Sequence, residues 1–347
     1  MIDWAKKKKP VNNVLEASGG TPMVRLNRVT QGVGATIYGK LEYFNPSGSL
    51  KDRILPYIFA QAEARGELKP GMTVIEGTTG NTGIATAMTG AVYGYPVVIV
   101  MPDGMSEERK KTIRAYGAQI VFTKGAESDV DLVLQKVEEI KASAPGKYFE
   151  VRQFANPDNV MAHYLTTGPE IWEQTEGQVD IVLASQGTGG TITGIGKYLK
   201  EKNPKIKVLA VEPAECPLLS RGTWGSHQIE GIGDGFIPGN LHLDVLDGVV
   251  TTTSDESIEM AKRLAREEGI FAGISSGCNV VAALKVARRF PEAKVIVTMI
   301  NDNGLRYFST ALAGEAKHVE IPEREHPGNP EEETILREKR KHWVIIN

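Results

Sequence analysis

The sequence has 347 residues, 41% hydrophobic and 24% charged, which is enough for two domains or one large α/β unit around a buried core. Its 40 basic and 43 acidic side chains give a formal net charge of −3, so nothing suggests a nucleic-acid or membrane surface. Two widely spaced cysteines support neither a disulfide framework nor a metal site, and no apolar run suggests a leader or a membrane span. We therefore expect a cytoplasmic protein.

The first part of the chain predicts alternating strands and helices. Two short strands are expected at 21–26 and 35–42, followed by a helix at 54–64. The alternation then continues with strands at 72–76, 96–101 and 119–122 and helices at 84–93 and 107–116. Such alternation favours a parallel sheet with helices on its faces.

The pattern resumes after a turn-rich segment at 152–159, which we interpret as a crossover between two lobes. Helices are predicted at 166–174 and 192–201, an amphipathic helix at 255–268, and another helix from 277 to 290. Strands are predicted at 181–184, 207–211 and 293–299. The stretch 213–238 is irregular, and the chain from 318 onward is charged and rich in proline.

One lysine, Lys51, stands where a turn-forming run gives way to a helix. Ser49 is a plausible N-cap, which places Lys51 in the first helical turn, where its charge opposes the partial positive charge of the helix N-terminus. An imine with an aldehyde cofactor would neutralise the lysine. The alternative is a surface lysine followed by the solvated pair Asp52 and Arg53, and this stretch alone leaves both interpretations open.

Three glycine-rich loops, at 77–83, 187–190 and 273–277, each lie between a predicted strand and a predicted helix. In open α/β sheets ligands bind at the carboxyl ends of the strands. The loop 187–191 suits a phosphate, because glycines allow close approach of backbone N–H groups and the following helix adds its dipole. It lacks the patterns typical of ATP and NAD sites. Together with Lys51 and the loop rich in threonine and asparagine, it indicates pyridoxal phosphate held as a Schiff base.

The segments 45–53, 78–83, 187–191 and 273–277 resemble the signature segments of the cysteine synthase and cystathionine β-synthase family. Members of that family are fold-type II pyridoxal phosphate enzymes. The likeness runs in the same order from about residue 15 to about residue 312 and includes 152–157 and 231–238. It implies a two-lobed, three-layer parallel-sheet α/β fold of the tryptophan synthase β-like kind, and a homodimer.

The resemblance also implies roles for individual residues. Lys51 would form the internal aldimine and later move the Cα proton, Asn81 would hydrogen-bond the cofactor 3′ oxygen, and Ser275 would face the pyridine nitrogen. The phosphate would be bound by Gly187, Thr188, Gly189, Gly190 and Thr191. The α-carboxylate of the substrate amino acid would be bound by Thr78, Thr79, Gly80, Thr82 and Gln153.

A neutral hydroxyl opposite the pyridine nitrogen has a consequence for the reaction type. Unlike a carboxylate, Ser275 would not keep the nitrogen protonated, so the cofactor would be a weaker electron sink. Loss of the Cα proton is then best coupled to departure of a β-substituent, which gives α-aminoacrylate for a nucleophile to attack. β-Elimination and β-replacement therefore fit this site better than aminotransfer.

Two positions depart from the family pattern. Thr79 stands where cysteine synthases usually have serine, which adds a methyl group and keeps the hydroxyl. Asp234 stands near the expected mouth of the site, where cysteine synthases often have a small residue. Its carboxylate would repel sulfide and could instead bind the ammonium of a second amino acid. The alternative is a solvated loop charge.

We expect a smaller, mobile lobe at 44–155, a larger lobe made of 1–43 and 156–317 that carries the phosphate site, and a charged C-terminal tail at 318–347. The expected activity is β-replacement on an activated serine, such as O-acetylserine, with sulfide to give L-cysteine. The alternatives are a cystathionine β-synthase-like condensation with a thiol, a cysteine desulfhydrase β-elimination or, further away, a non-catalytic scaffold that binds partners through the cleft. A serine or threonine dehydratase is disfavoured.

Overall fold

The structure is a computed structural model that describes residues 10–125, 129–314 and 328–347. In that part of the chain the strands, in chain order, are β1 Met23–Arg25, β2 Thr36–Leu41, β3 Thr73–Gly77, β4 Val97–Pro102, β5 Gln119–Thr123, β6 Tyr148–Glu150, β7 Ile181–Ser185, β8 Lys207–Pro213, β9 Gly248–Thr252, β10 Val295–Ile300 and β11 Val344–Ile346.

The helices, in chain order, are α1 Ile54–Ala64, α2 Asn81–Tyr93, α3 Glu107–Ala115, α4 Val130–Ser143, α5 Pro157–Leu165, α6 Thr167–Gln174, α7 Gly190–Lys202, α8 Leu218–Arg221, α9 Ser254–Arg263, α10 Ile274–Arg289 and α11 Pro330–Arg340. Short 3₁₀ turns form at Val14–Ala17, Glu42–Phe44, Leu50–Arg53 and Gly304–Tyr307, and a π-turn at Leu264–Glu268 extends α9. None of the described helices is both long and apolar enough to cross a bilayer.

The strands form two sheets. The larger sheet has seven strands in the order β1-β2-β10-β7-β8-β9-β11, and the smaller has four in the order β5-β4-β3-β6. Every pairing is parallel except that of β1 with β2. The central strands β7 and β10 are buried almost throughout and are largely apolar without alternation, as expected for parallel strands covered on both faces.

Each sheet has its own hydrophobic core. Helix α10 packs on one face of the larger sheet within a cluster that includes Ile37, Leu183 and Ile296, while α7 helps cover the other face. The main core of the smaller sheet joins α1, α2 and α3 to β3 and β4. All strands of the smaller sheet come from residues 73–150, which lie inside the predicted smaller lobe. The lobe boundaries at 44 and 155, and movement of one lobe against the other, remain predictions.

Several elements were not expected from the sequence. Helix α4 and strands β6 and β9 were not predicted, and neither was α5, which begins inside the segment interpreted as a turn-rich crossover. Helix α11 and strand β11 were also missed, and they lie in the segment predicted as a charged tail. Strand β11 pairs with β9 and completes the edge of the larger sheet, while Trp343 donates to the carbonyl of Leu246 at 3.0 Å. Residues 318–327 of that segment lie outside the described part of the chain.

Candidate active site

The strand ends and loops singled out in the sequence meet in one cleft. Its free space, including the open mouth, is about 700 Å³. It is lined by residues that follow β3 and β6 of the smaller sheet and by residues that follow β7 and β10 of the larger sheet. Of the predicted site residues, only Gly80 and Gly190 do not line the cleft. The predicted residues that line it are Lys51, Thr78, Thr79, Asn81, Thr82, Gln153, Gly187, Thr188, Gly189, Thr191 and Ser275.

Lys51 is carried on the 3₁₀ turn that leads into α1. The predicted cap is confirmed, since the Ser49 hydroxyl accepts from the backbone N–H of Lys51 at 3.3 Å. The turn is fixed to the end of β10, because the N–H of Leu50 donates to the carbonyl of Asn301 at 3.0 Å. The turn therefore holds Lys51 at the carboxyl end of the larger sheet.

Ion pairs between buried charged side chains anchor the 3₁₀ turn that carries Lys51. Arg53 is 5% exposed, and its guanidinium binds Glu42 at 2.6 Å and Glu170 of α6 at 2.7 Å. Lys40 binds the same Glu170 carboxylate at 2.7 Å. The interpretation of Asp52 and Arg53 as a solvated pair is therefore wrong, since Asp52 is fully buried as well.

Replacing Arg53 by alanine should destabilise the protein by about 3–5 kcal/mol, because the buried Glu42 carboxylate would lose its guanidinium partner and the partly exposed Glu170 would keep only Lys40. The matched control is Arg65→Ala, whose side chain is 41% exposed and pairs with Glu67 and Asp158. That change should cost at most about 1 kcal/mol. Denaturant unfolding of both variants measures the difference, and equal losses would contradict the anchoring role.

The glycine loop after β7 provides a backbone cradle. A Cβ at Gly187 would lie 2.5 Å from the carbonyl oxygen of Gly231, and one at Gly189 would lie 2.6 Å from Leu241. Gly189 also has a φ of +79°, which favours glycine. Because α7 begins at Gly190, its first N–H groups have no acceptor inside the helix and are available to an anion.

Two buried side chains, those of Asn159 and His163, form hydrogen bonds to this loop. Asn159 donates to the Thr188 hydroxyl at 3.1 Å and to the carbonyl of Gln153 at 2.8 Å. His163, to which the sequence analysis gave no role in the site, has its Nε2 atom 3.1 Å from the hydroxyl of Thr191 and its Nδ1 atom 2.9 Å from that of Thr167. Burial lowers the pKa of His163 to about 3, so it holds the loop as a neutral imidazole.

A Gly190→Ala change should weaken cofactor binding by at least about tenfold, or ~1.4 kcal/mol, because the new Cβ would overlap the side-chain oxygen of Asn159. Gly34→Ala is the control, since no atom lies within 4 Å of a Cβ built there. Titration of the two apoproteins with pyridoxal phosphate, followed by absorbance, measures both affinities. Equal affinities would show that the loop does not bind the cofactor.

The threonine loop between β3 and α2 faces the glycine loop. The Thr78 hydroxyl accepts from the N–H of Gly80 at 3.1 Å, and the Thr82 hydroxyl donates to the side-chain oxygen of Gln153. The Gln153 amide nitrogen donates to the carbonyl of Gly77 at 2.8 Å. The loop and Gln153 are therefore one hydrogen-bonded unit, with hydroxyl and amide groups of the kind that bind a carboxylate.

Asn81, at the start of α2, is held by residues that follow β10 of the larger sheet. Its Nδ2 atom donates to the buried carboxylate of Asp302 at 2.6 Å, and its Oδ1 atom accepts from Arg306. Among the described residues the second N–H of the amide has no acceptor, so it can donate to a ligand. Asp302 also accepts from the hydroxyl of Tyr307 at 2.6 Å, so the contact of Asn81 with Asp302 is part of a larger polar cluster.

Asp234 lines the cleft and is only 5% exposed. The interpretation of this residue as a solvated loop charge is therefore wrong. Burial raises the pKa of its carboxyl from the usual 3.8 to about 7, although the nearby Lys51 ammonium acts in the opposite direction. The cleft thus holds two groups able to transfer protons, an amine and a carboxyl, within reach of each other's charge.

Arg109 and Glu230 are further cleft residues that the sequence analysis did not identify. Arg109 is fully buried at the start of α3, forms an ion pair with Glu230, and donates to the Tyr307 hydroxyl at 2.6 Å. Burial raises the pKa of Glu230, and Arg109 offsets part of that effect. A Cβ on Gly80 would overlap Arg109, so Gly80 allows the guanidinium to approach the threonine loop.

Comparison with known proteins gives concordant results. A family model described as pyridoxal-phosphate dependent enzyme matches residues 14–302. A cysteine synthase from Staphylococcus aureus is 46% identical over 305 residues, which are 88% of this chain and 97% of that protein.

Solved structures with the same fold include enzymes with different activities. A cysteine synthase from Entamoeba histolytica has a TM-score of 0.84 at 40% identity and covers 97% of this chain and 98% of its own. A hydrogen sulfide-producing enzyme from Fusobacterium nucleatum has a TM-score of 0.82 at 40% identity, with 86% of this chain and 100% of its own covered.

Proposed function

This chain belongs to the family of pyridoxal-phosphate-dependent enzymes, and on that premise we propose that it makes L-cysteine from an activated serine, such as O-acetylserine, and sulfide. The fold is the two-sheet, fold-type II architecture that the sequence resemblance implied. The non-catalytic scaffold is set aside, because the family and its relatives are enzymes.

The residues present fit the cofactor. The glycine loop 187–191 and the free N–H groups of α7 suit its phosphate, and Lys51 supplies the amine for its aldehyde. Ser275 would meet the ring nitrogen, and Asn81 the 3′ oxygen. When bound, pyridoxal phosphate withdraws electrons from the Cα atom of an amino acid and so weakens the bond from Cα to its proton.

The chain's own groups then divide the work. The threonine loop and Gln153 bind the α-carboxylate and fix the orientation of the Cα–H bond toward Lys51. The Lys51 amine takes the Cα proton as acetate leaves Cβ, and it returns that proton after sulfide has bonded to Cβ. The sum of the steps is O-acetylserine plus hydrosulfide (HS⁻) giving cysteine plus acetate, and the Cα proton taken by Lys51 is the one that it returns. A positioned general base of this kind contributes about 10²–10⁴-fold.

One observation supports this proposal most strongly. Lys51, the threonine loop, the glycine loop and Ser275 come from sequence positions far apart, and all of them line a single cleft. The test incubates the purified holoenzyme with sulfide and, separately, O-acetylserine, O-phosphoserine, serine or cysteine. Cysteine formed fastest from O-acetylserine is the expected result. Sulfide release from cysteine without any preference for acylated serine would contradict the proposal.

A second function, release of hydrogen sulfide from cysteine by β-elimination, is favoured by Asp234. A buried carboxyl with a pKa near 7 can transfer a proton to a thiolate as it leaves Cβ. Acetate, the leaving group of O-acetylserine, is a stable anion and does not need that proton. The similarity to the Fusobacterium nucleatum enzyme supports the same activity. A cystathionine β-synthase-like condensation with a thiol has no comparable support.

We place this chemistry in the cytoplasm, in a homodimer. Cys216 and Cys278 are free, buried thiols, which suits a reducing compartment. The homodimer rests on the family resemblance alone. Light scattering of the purified protein measures the oligomeric state.

A further inference from the structure

Asn301, the residue that follows strand β10, lies between the lysine turn and Ser275. It is 6% exposed and lines the cleft. Its carbonyl accepts from the N–H of Leu50, and its own N–H donates to the hydroxyl of Ser276 at 2.9 Å. The backbone of Asn301 therefore joins the segment that carries Lys51 to the helix start that carries Ser275.

The orientation of the Asn301 side chain is fixed by its neighbour Asn279. The backbone N–H of Ser185, which can only donate, lies 2.7 Å from Oδ1 of Asn279. Nδ2 of Asn279 then donates to the carbonyl of Met299 at 2.9 Å and lies 3.4 Å from Oδ1 of Asn301. This order of donors and acceptors turns Nδ2 of Asn301 toward the cleft.

There, Nδ2 of Asn301 lies 3.0 Å from the Ser275 hydroxyl and 3.1 Å from the Ser185 hydroxyl. An amide nitrogen can only donate, so the Ser275 oxygen must accept, and its own hydrogen must point elsewhere. Among the described residues Ser275 Oγ makes no other hydrogen bond, and Ser275 borders the cleft. The Ser275 hydroxyl is thus a donor directed at whatever ligand atom faces it.

We propose that Asn301 is a positioning residue that fixes the Ser275 hydroxyl as a hydrogen-bond donor, so that only an acceptor atom fits opposite Ser275. This inference rests on the proposed function, in which the facing atom is the pyridine nitrogen of pyridoxal phosphate. The nitrogen is then held without a proton. Asn279 and Asn301 thereby select the weak electron sink that favours replacement at Cβ over aminotransfer.

The test follows the ring nitrogen itself. The apoprotein is reconstituted with pyridoxal phosphate that carries nitrogen-15 in the ring, and the chemical shift is recorded by NMR. The wild type should show the shift of an unprotonated pyridine. In Asn301→Asp an oxygen replaces Nδ2 and accepts the Ser275 hydrogen. Ser275 then presents a lone pair to the cleft, so the shift should move toward that of a pyridinium.

Asn303→Asp is the matched control, since it makes the same change two residues further along. Oδ1 of Asn303 accepts from the N–H of Leu305 at 2.8 Å, which a carboxylate can also do. The ring nitrogen of this variant should keep the wild-type shift. In a Ser275→Ala background, Asn301→Asp should change the chemical shift of the ring nitrogen little further, because the hydroxyl through which Asn301 acts is absent.

A pyridinium shift in the wild type, or a wild-type shift in Asn301→Asp, would overturn the proposal. An equal displacement in Asn303→Asp would do the same, because it would reduce the effect to added charge. Should Asn301→Asp fail to fold, Ser275→Ala decides. Loss of the hydrogen bond from the Ser275 hydroxyl should move the chemical shift of the ring nitrogen further from that of a pyridinium. An unchanged shift would show that Ser275 does not donate to this nitrogen. The proposed function fails separately, if no cysteine forms.

Discussion

Replacing Lys51 by alanine should lower cysteine formation by at least about 10³-fold and leave the fold intact. The loss combines the attachment point of the cofactor with the base that moves the Cα proton, which alone contributes about 10²–10⁴-fold. The side chain lies in the cleft, outside both hydrophobic cores, so its removal leaves no core cavity. Turnover and thermal unfolding of the same sample measure the two effects.

Lys69→Ala is the control for this change, because Lys69 is exposed in the loop after α1 and should leave turnover unchanged. A second consequence follows at Asp234. The Lys51 ammonium lowers the pKa of that carboxyl, so the pKa should rise further in the Lys51→Ala variant. Full activity of Lys51→Ala would refute the assignment.

Replacing Asp234 by asparagine should separate the two candidate activities. Release of hydrogen sulfide from cysteine should fall at least about 100-fold, whereas the reaction of O-acetylserine with sulfide should change by less than about tenfold. The reason is that a thiolate needs a proton as it leaves, and asparagine cannot supply one, while acetate leaves as a stable anion. Steady-state rates of both reactions measure the asymmetry.

The control for this change is Asp244→Asn, on an exposed loop residue, which should affect neither rate. Equal losses in both reactions of Asp234→Asn would show that Asp234 shapes the cleft without transferring a proton. A faster sulfide reaction in the variant would indicate that the carboxylate repels sulfide in the wild type, as the sequence suggested.

The raised pKa of Asp234 also predicts how stability depends on pH. The folded protein holds this proton up to about pH 7, whereas an unfolded chain releases it near the usual 3.8. The contribution to stability is therefore full below about pH 4 and is lost as the pH rises through 7. Asparagine mimics the protonated carboxyl, so Asp234→Asn should melt above the wild type at alkaline pH and alongside it in acid. Melting curves across that range test the sign.

Much of the fold could be predicted from periodicity, and the elements that were missed have physical reasons. The amphipathic helix predicted at 255–268 corresponds to α9 and the π-turn after it, where Ile258, Ala261 and Leu264 are buried. Strands β6 and β11 have three residues each, too short for any periodic signal. Strand β11 forms by pairing with β9, which lies almost a hundred residues earlier in the chain, and local sequence patterns do not predict such long-range pairing.

The cleft also contains some residues that could be predicted from the sequence and others that could not. Lys51, the glycine loop and Ser275 could be found because they stand in segments with recognisable turn chemistry and family resemblance. Arg109 and Glu230 could not, because Arg109 lies in a charged run typical of a solvated helix face, and only the tertiary fold buries it. Asn301 had one usable signal, its position at the carboxyl end of a buried strand.

The attachment of the cofactor to Lys51, on which the proposed function depends, can be measured directly. Borohydride reduction of the holoenzyme would link the cofactor permanently to the amine that holds it, and digestion with mass spectrometry would locate the added mass. We expect the mass on the peptide that contains Lys51, and no added mass in Lys51→Ala. Added mass on a different lysine, or none in the wild type, would contradict this attachment.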